Sequence, residues 1–292
     1  MKVFFKKHTI IFTICIIIMA ICSNLITGFL QSFVSPNQTM FYLIEAIFKF
    51  GISAGLLILM VKWGYTKKAD KKKLTLGFLL GSILLLFMAP NVIPFVIVNP
   101  ILFDAKWGLI IAILLASLSI GLMEETGIRG LLLPLLCEKW KGKKHTYLKA
   151  ALITSLLFGC IHLTWSIRFF ITHGFLPTSQ LLENLYQVYY AFCFGVLVSG
   201  IAIYTRNILA VAIWHGLCDF SAFIIYGILP HASIEFYNRQ QMLNLHYVFY
   251  KYGISSKLPI AANLVYETIN LLFIIIGIIL ILKAEKKYIK SN

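Results

Sequence analysis

A chain of 292 residues that is 60% hydrophobic and only 13% charged, with a mean hydropathy of +0.86, is far too apolar for a soluble domain of its length. Composition therefore excludes a water-soluble enzyme and leaves a polytopic membrane protein. The formal charge of +15 would suggest nucleic acid in a soluble protein, but here Lys and Arg gather in short segments between apolar runs, where they report topology. The implied partner is the lipid bilayer and not nucleic acid.

In chain order, Lys2, Lys6 and Lys7 precede an apolar run from Thr9 to about Leu30. It is longer than the roughly 7 to 15 residues of a secretory apolar core, and Ile21 rather than a small residue stands before Cys22, so the run reads as a membrane anchor. Ser35-Pro36-Asn37 marks a turn before a second run, Phe41 to Trp63. The lysine-rich loop Lys67 to Lys73 leads to a third, Leu74 to about Val98, which Pro90 and Pro94 should kink. The fourth, Trp107 to Leu136, is ~45 Å long at the helical rise against a ~30 Å hydrocarbon core, so it must tilt, bend or protrude. Beyond the basic loop Lys139 to Lys144 lie a fifth run, Leu148 to about Trp165, and an irregular stretch to Glu183. The sixth run is Leu185 to Tyr204, and only Thr205 and Arg206 link it to the seventh, Asn207 to Leu229. A polar and aromatic loop to Pro259 precedes the eighth, about Ala261 to Leu282, and a lysine-rich tail. The fold class is thus all-α: a transmembrane bundle of about eight helices, one integral-membrane domain over residues 1–292 with no internal repeat. The six cysteines (Cys15, Cys22, Cys137, Cys160, Cys193 and Cys218) form no C-x-x-C pair and read as small core hydrophobes.

Two adjacent carboxylates and an arginine interrupt the fourth run at Glu124, Glu125 and Arg129. An ionisable group near the bilayer centre costs at least ~2.5 to 3.5 kcal/mol on insertion scales, so three in six residues mark a site unless they neutralise one another. Glu125 and Arg129 are four apart and can pair along one helix face, while Glu124 points about 100° away. The pair is foremost structural. Glu124 is left over, and an unpaired carboxylate in apolar surroundings is one that can accept and return a proton near neutral pH.

Two more ionisable sites lie inside apolar runs: Phe158-x-x-x-His162 in the fifth, and His215-x-x-x-Asp219 in the seventh. The second pair shares a helix face, a separation at which two side chains can hold one water, metal or oxyanion. Counted along the runs from their cytoplasmic ends, Glu124 lies ~18 Å deep, His162 ~21 Å, His215 ~12 Å and Asp219 ~18 Å. Singly, His162 could be a core histidine satisfied by a carbonyl, His215 with Asp219 a packing bond between turns, and Phe158 plain core. Together they converge on one slab near the midplane, where burying all of them for structure alone is expensive. The remaining histidines (His8, His145, His173, His231 and His246) fall in or beside loops and read as solvated.

Glu124-Glu125-x-x-x-Arg129-Gly130, then Phe158-x-x-x-His162, then His215-x-x-x-Asp219 resemble, in order and on separate helices, the three motifs of the CPBP family of intramembrane proteases. That family includes the type II CAAX prenyl endopeptidase and bacterial members linked to bacteriocin processing and self-immunity. The resemblance covers about residues 107–229, which it marks as a catalytic core. It implies that Glu124 and His162 activate a water for attack on a peptide carbonyl, and that His215 and residue 219 stabilise the oxyanion, with no cofactor. Two positions depart from the pattern: Ile128 stands where an aromatic usually precedes the arginine, and Asp219 stands where Asn is common. An amide donates to an oxyanion and an ionised carboxylate does not, so Asp219 is protonated, orients His215, or binds a metal. Glu124, His162, His215 and Asp219 are also a donor set that suits Zn²⁺ with water in an open position.

The function this favours is hydrolysis of a peptide bond in a membrane-associated peptide or protein substrate. The same buried charges would serve a proton- or ion-coupled transporter, but neither inverted repeats nor a pair of broken helices is evident. A catalytically silent membrane scaffold or immunity protein is the third reading, and the intact motif set argues against it. The lysine-rich, isoleucine-rich and short-looped chain has a bacterial look, and a bacterium without prenylation offers a peptide precursor rather than a prenylated protein.

Charge also orients the chain. With alternating crossings, 19 Lys and Arg fall on the side of the N-terminus and 5 on the other, which places both termini and the loop around Lys67 to Lys73 in the cytoplasm of a multi-pass cell-membrane protein. Reporter fusions test this: a fusion after Lys290 should report cytoplasmic, and an external signal there would mean an odd number of crossings.

Overall fold

The computed structural model describes residues 2–34, 38–65, 70–86, 88, 107–175, 178–228 and 258–289, and every regular element among them is helical. In order these are α1 (Lys2–Lys7), α2 (Thr9–Ser32), α3 (Gln38–Lys62) and α4 (Lys71–Gly81), which ends in a 3₁₀ turn, Ser82–Leu84. Helix α5 (Trp107–Glu125) passes through a π-helical stretch, Thr126–Leu132, into α6 (Leu133–Lys139). Then come α7 (Thr146–Ile161), α8 (Thr164–His173), α9 (Thr178–Thr205), α10 (Leu209–Ile228) and α11 (Leu258–Ile289).

Five helical stretches are long and apolar enough to cross a membrane: Thr9–Gln31, Gln38–Lys62, Trp107–Lys139, Asn184–Thr205 and Glu267–Lys287. They are the first, second, fourth, sixth and eighth runs. The fifth and seventh contain shorter apolar helices, Thr146–Ile161 and Leu209–Ile224. The third begins as α4, while its prolines Pro90 and Pro94 lie outside the described residues, as do His231 and His246. The chain is an all-α, multi-pass membrane protein. Its most enclosed span is α9, with 72% of its apolar window buried in the bundle against 28% for α2 and for α3. Those two turn Ile10, Ile18, Phe29, Ile47 and Ile58 outward, a surface fit for lipid and not for water.

Two readings of the connections need correction. Lys71, Lys72 and Lys73 are not loop but the first turn of α4, started by Asp70, whose carboxylate accepts from the Lys72 N–H at 3.0 Å. The stretch from Trp165 towards Glu183 is mostly helix: α8 follows α7 after a two-residue turn, stops at Gly174 with φ of +73°, and α9 begins at Thr178. Periodicity over ten residues is too short a signal to separate such a helix from a loop. The cysteine reading holds for Cys193 and Cys218, which are buried; Cys15, Cys22 and Cys160 lie on the outer surface of the bundle.

Glycines set how closely the helices approach. A Cβ on Gly121 of α5 would sit 2.5 Å from the Gly216 backbone N and 2.6 Å from the Ala212 carbonyl of α10, and one on Gly216 would sit 2.7 Å from the Leu118 Cα. The two backbones therefore touch where His215 leaves α10. Antiparallel α5 and α10 contrast with α3, which runs parallel to α5 and its π-helical continuation, where Leu56 lies against Gly127 and Met60 against Gly130. Helices α7 and α9 are antiparallel as well, with Gly159 against Val188 and Ser155 against Gly195. These relative directions are the ones that alternating crossings require. A second close crossing, Gly200 of α9 on Gly277 of α11, closes the far side of the bundle.

Adding a methyl group at either crossing must push helices apart at a cost of roughly 1 to 3 kcal/mol. Gly121→Ala and Gly200→Ala should both lower the thermal unfolding midpoint of the purified protein. Only Gly121→Ala should also disturb the environment of His215, read by NMR of its ring, because Gly200 lies at the other crossing.

Candidate active site

The fourth run delivers its charges at a change of helix type. Glu124 and Glu125 are the last residues of α5, and Arg129 lies in the π-helical stretch that follows, a widened turn of the kind often found at functional sites. Arg129 Nη1 donates to Glu125 Oε1 at 3.0 Å with both side chains wholly buried, as the i, i+4 spacing predicts. The guanidinium also donates from Nε to Ser199 Oγ of α9 at 3.3 Å and stacks over the Phe158 ring of α7, 4.5 Å from its centroid. Gly195 leaves room for it: a Cβ there would lie 2.8 Å from Arg129 Nη2. One buried arginine thereby ties α5, α7 and α9 together.

His215 joins this pair from α10. Its Nδ1 lies 2.9 Å from the same Glu125 Oε1 that Arg129 holds. A carboxylate paired with an arginine accepts, so Nδ1 carries the hydrogen and Nε2 is turned to the other side of the ring. There Glu124 Oε2 lies 3.7 Å away and Asp219 Oδ2 3.8 Å away. Phe158 and Phe194 meet the imidazole edge to face at 5.7 Å and 4.9 Å between ring centres and fix its plane. Glu124 and Glu125, which diverge from one helix, thus meet the two nitrogens of one histidine. Spacing along one helix leaves Glu124 alone, and α10 brings it a partner.

His162 sits one ring further on. It caps the C-terminal end of α7 rather than lying within the helix, because the chain turns there into α8. Its Nδ1 is 3.0 Å from the Phe158 carbonyl, an acceptor only, so Nδ1 is again the protonated nitrogen and Nε2 is left with a lone pair. The His162 ring meets Phe158 edge to face at 5.1 Å, on the same aromatic side chain that borders His215. Phe158 is therefore more than core: it separates two histidines of like tautomer and carries the arginine on its face. A cleft of ≈ 10 Å³, about the size of one water, opens beside Glu124, Phe158 and Ile161 and is roofed by Ile16, Met19 and Ala20 of α2.

The arrangement brings together Glu124, Glu125, Arg129, His215 and Asp219 and sets His162 beyond Phe158. Among the described residues no three His, Cys, Asp or Glu side chains are grouped as they would be around a metal ion. Glu125 Oε2, Arg129 Nη2 and Asp219 Oδ2 are buried without a hydrogen-bond partner among the described residues. Sequence reasoning missed Ser199, an ordinary serine in an apolar run, and the pair Glu45 and Lys49 in α3. The latter had a readable signal, since an acidic and a basic residue four apart inside an apolar run is the spacing already recognised in Glu125 and Arg129.

Residues 106–221 match the family model described as type II CAAX prenyl endopeptidase Rce1-like. Over that stretch the chain is similar to this family. The match runs from the start of α5 to two residues past Asp219 and takes in all three motifs. No curated protein and no solved structure matches the chain.

The shared carboxylate makes a prediction. Arg129→Ala leaves Glu125 an uncompensated buried charge, a loss on the order of 3 to 5 kcal/mol, and should sharply reduce folded protein in the membrane. Arg129→Ala combined with Glu125→Gln should recover part of the folded yield, measured by detergent-resistant monodisperse protein. Abundance and thermal stability of the single variant equal to wild type would show that the pair is not holding the three helices.

Proposed function

We propose that this chain is an intramembrane endopeptidase that hydrolyses a peptide bond of a membrane-associated peptide or protein, with Glu124 as general base. What carries the reading is the setting of Glu124, whose Oε2 faces His215 Nε2 at 3.7 Å beside a water-sized cleft, within the Rce1-like segment. A water held by Glu124 and His162 Nε2 attacks the carbonyl carbon while Glu124 takes its proton. The carbonyl π electrons move onto oxygen, and when the carbon–nitrogen bond breaks Glu124 returns the proton to the leaving amine.

The developing oxyanion needs donors. With Nδ1 committed to Glu125, His215 can donate from Nε2 only as the imidazolium, a form that carboxylate oxygens at 2.9, 3.7 and 3.8 Å stabilise by simple attraction. Glu125 and Arg129 act through His215, holding its ring and its tautomer. Asp219 contributes either as a neutral acid that donates or as the charge that keeps His215 in its donating form. No step runs through a metal. The substrate class is a peptide precursor, of the kind matured into bacteriocins, or a membrane protein, in keeping with a site enclosed by apolar helices.

Glu124→Gln retains shape and one hydrogen bond but not proton abstraction, so cleavage of a peptide library should fall by at least ~10² with the bundle still folded. Chelator should change little, and Asp219→Asn, which supplies an amide donor, should be tolerated or increase turnover. Loss of activity in chelator together with loss in Asp219→Asn would point to zinc instead. A purified protein that cleaves nothing but moves protons across vesicles in a Glu124-dependent manner would replace the peptidase reading with a transporter.

A further inference from the structure

Lys49 and Arg129 are the two Lys or Arg side chains buried in the bundle among the described residues, and the three motifs account only for Arg129. Lys49 lies in the middle of α3 on its buried stripe, Ala46, Lys49, Ser53, Leu56 and Met60, the face turned to α5. Its Nζ donates to Glu45 Oε1 at 2.7 Å, one turn earlier, and its backbone carbonyl accepts from Ser53 Oγ at 2.8 Å. A lysine ammonium with 4% of its side chain exposed, in a helix that crosses the membrane, is costly to keep for packing alone.

Helix register says what else it serves. Leu56 faces Gly127 and the two helices run parallel, so two turns back Lys49 stands level with Ile120 and Glu45 with about Ala116. On the other side of α5, antiparallel α10 places Gly216 against Ser117 and Leu118, and Asp219 lies nearly one turn beyond. Glu45 and Asp219 therefore lie near one level of the bundle, and Lys49, one turn of α3 nearer Glu124, sends its ammonium back to Glu45. Asp219 lies within electrostatic reach of Lys49 and Glu45 as well as of His215 and Glu124. Arg129 is engaged by Glu125, Ser199 and Phe158, and Lys49 is the other buried Lys or Arg among the described residues, on the side of Glu45 and Asp219. Position 219 is also where this chain carries an acid in place of the amide common in the proteins it resembles, a change that adds one negative charge to the interior.

We propose that Lys49, held by Glu45, is the counter-charge of Asp219, a positioning residue of the site supplied by α3 from outside the three motifs. It acts through Asp219, and so on the charge facing His215 Nε2, and it need not touch the substrate. The inference rests on Asp219 belonging to the site, but its decisive readout is stability and does not depend on any peptide being cleaved.

The test is a double-mutant cycle on the full-length protein in one detergent, following the thermal unfolding midpoint. Neutralising the pair with Lys49→Gln and Glu45→Gln should lower the midpoint by at least ~5 °C when Asp219 is present, and by less than half of that when Asp219→Asn is added. Lys49→Arg, with Glu45 and Asp219 intact, should restore most of the wild-type midpoint. Should the neutralised pair fail to fold, recovery of folded protein by Asp219→Asn supports the assignment equally. An equal loss with and without Asp219→Asn, failure to fold in both, or no loss in either would overturn it and make the pair a packing feature of α3. Absence of peptidase activity in every variant, wild type included, would count against the proposed function and leave the coupling measurement standing.

Discussion

A single carboxylate oxygen, Glu125 Oε1, accepts from Arg129 Nη1 at 3.0 Å and from His215 Nδ1 at 2.9 Å, and it does so with no exposure to solvent. In water such a contact is worth little. Inside an apolar bundle each unpaired ion would cost several kcal/mol, so the three groups are held to one another far more strictly than surface partners are. Through Arg129 the interaction reaches Ser199 and Phe158, and through His215 it reaches α10. The positions of α5, α7, α9 and α10 around the site all refer to that one oxygen.

Such an arrangement is open only to helices that approach closely. Side chains as short as those of Glu125 and His215 meet because Gly121 and Gly216 let two backbones touch, and a guanidinium fits against α9 because Gly195 has no Cβ to meet it. Small residues at helix crossings are the usual solution in membranes, where lipid is as apolar as leucine and burial alone does not draw helices together. Here the same glycines that permit packing also determine reach: His215 immediately precedes Gly216, so the crossing point and the histidine that meets Glu125 are neighbours in sequence and cannot be separated by repacking.

The interior is also a problem of charge balance. Among the described residues Glu45, Glu124, Glu125 and Asp219 share the interior with Lys49 and Arg129, and His215 stands between three of the carboxylates. A histidine whose first nitrogen is locked by a structural pair and whose second faces two further carboxylates responds to any charge that develops nearby. That is the property a site for attack on a neutral carbonyl needs, since negative charge appears there only transiently.

Much of this was legible in the chain alone. Apolar runs broken by basic segments specify helices and their alternation, because no other element satisfies its backbone in lipid. The i, i+4 spacing of Glu125 and Arg129 predicts their pairing, and the three motifs single out helices whose polar side chains meet. What spacing along one helix does not contain is the direction from which another helix arrives. Glu124 reads as isolated until α10 brings His215 to it, and Glu125 reads as structural until the same histidine binds its oxygen. His162 reads as a mid-helix residue until the chain turns into α8 beneath it, and the spacing of Glu45 and Lys49 does not show that α3 buries the lysine against α5. The sequence by itself determined the elements, their order and the residue types available in the membrane. Only tertiary structure decided which of them meet, because contacts across helices depend on crossing points, and those are fixed by where glycines allow two backbones to touch.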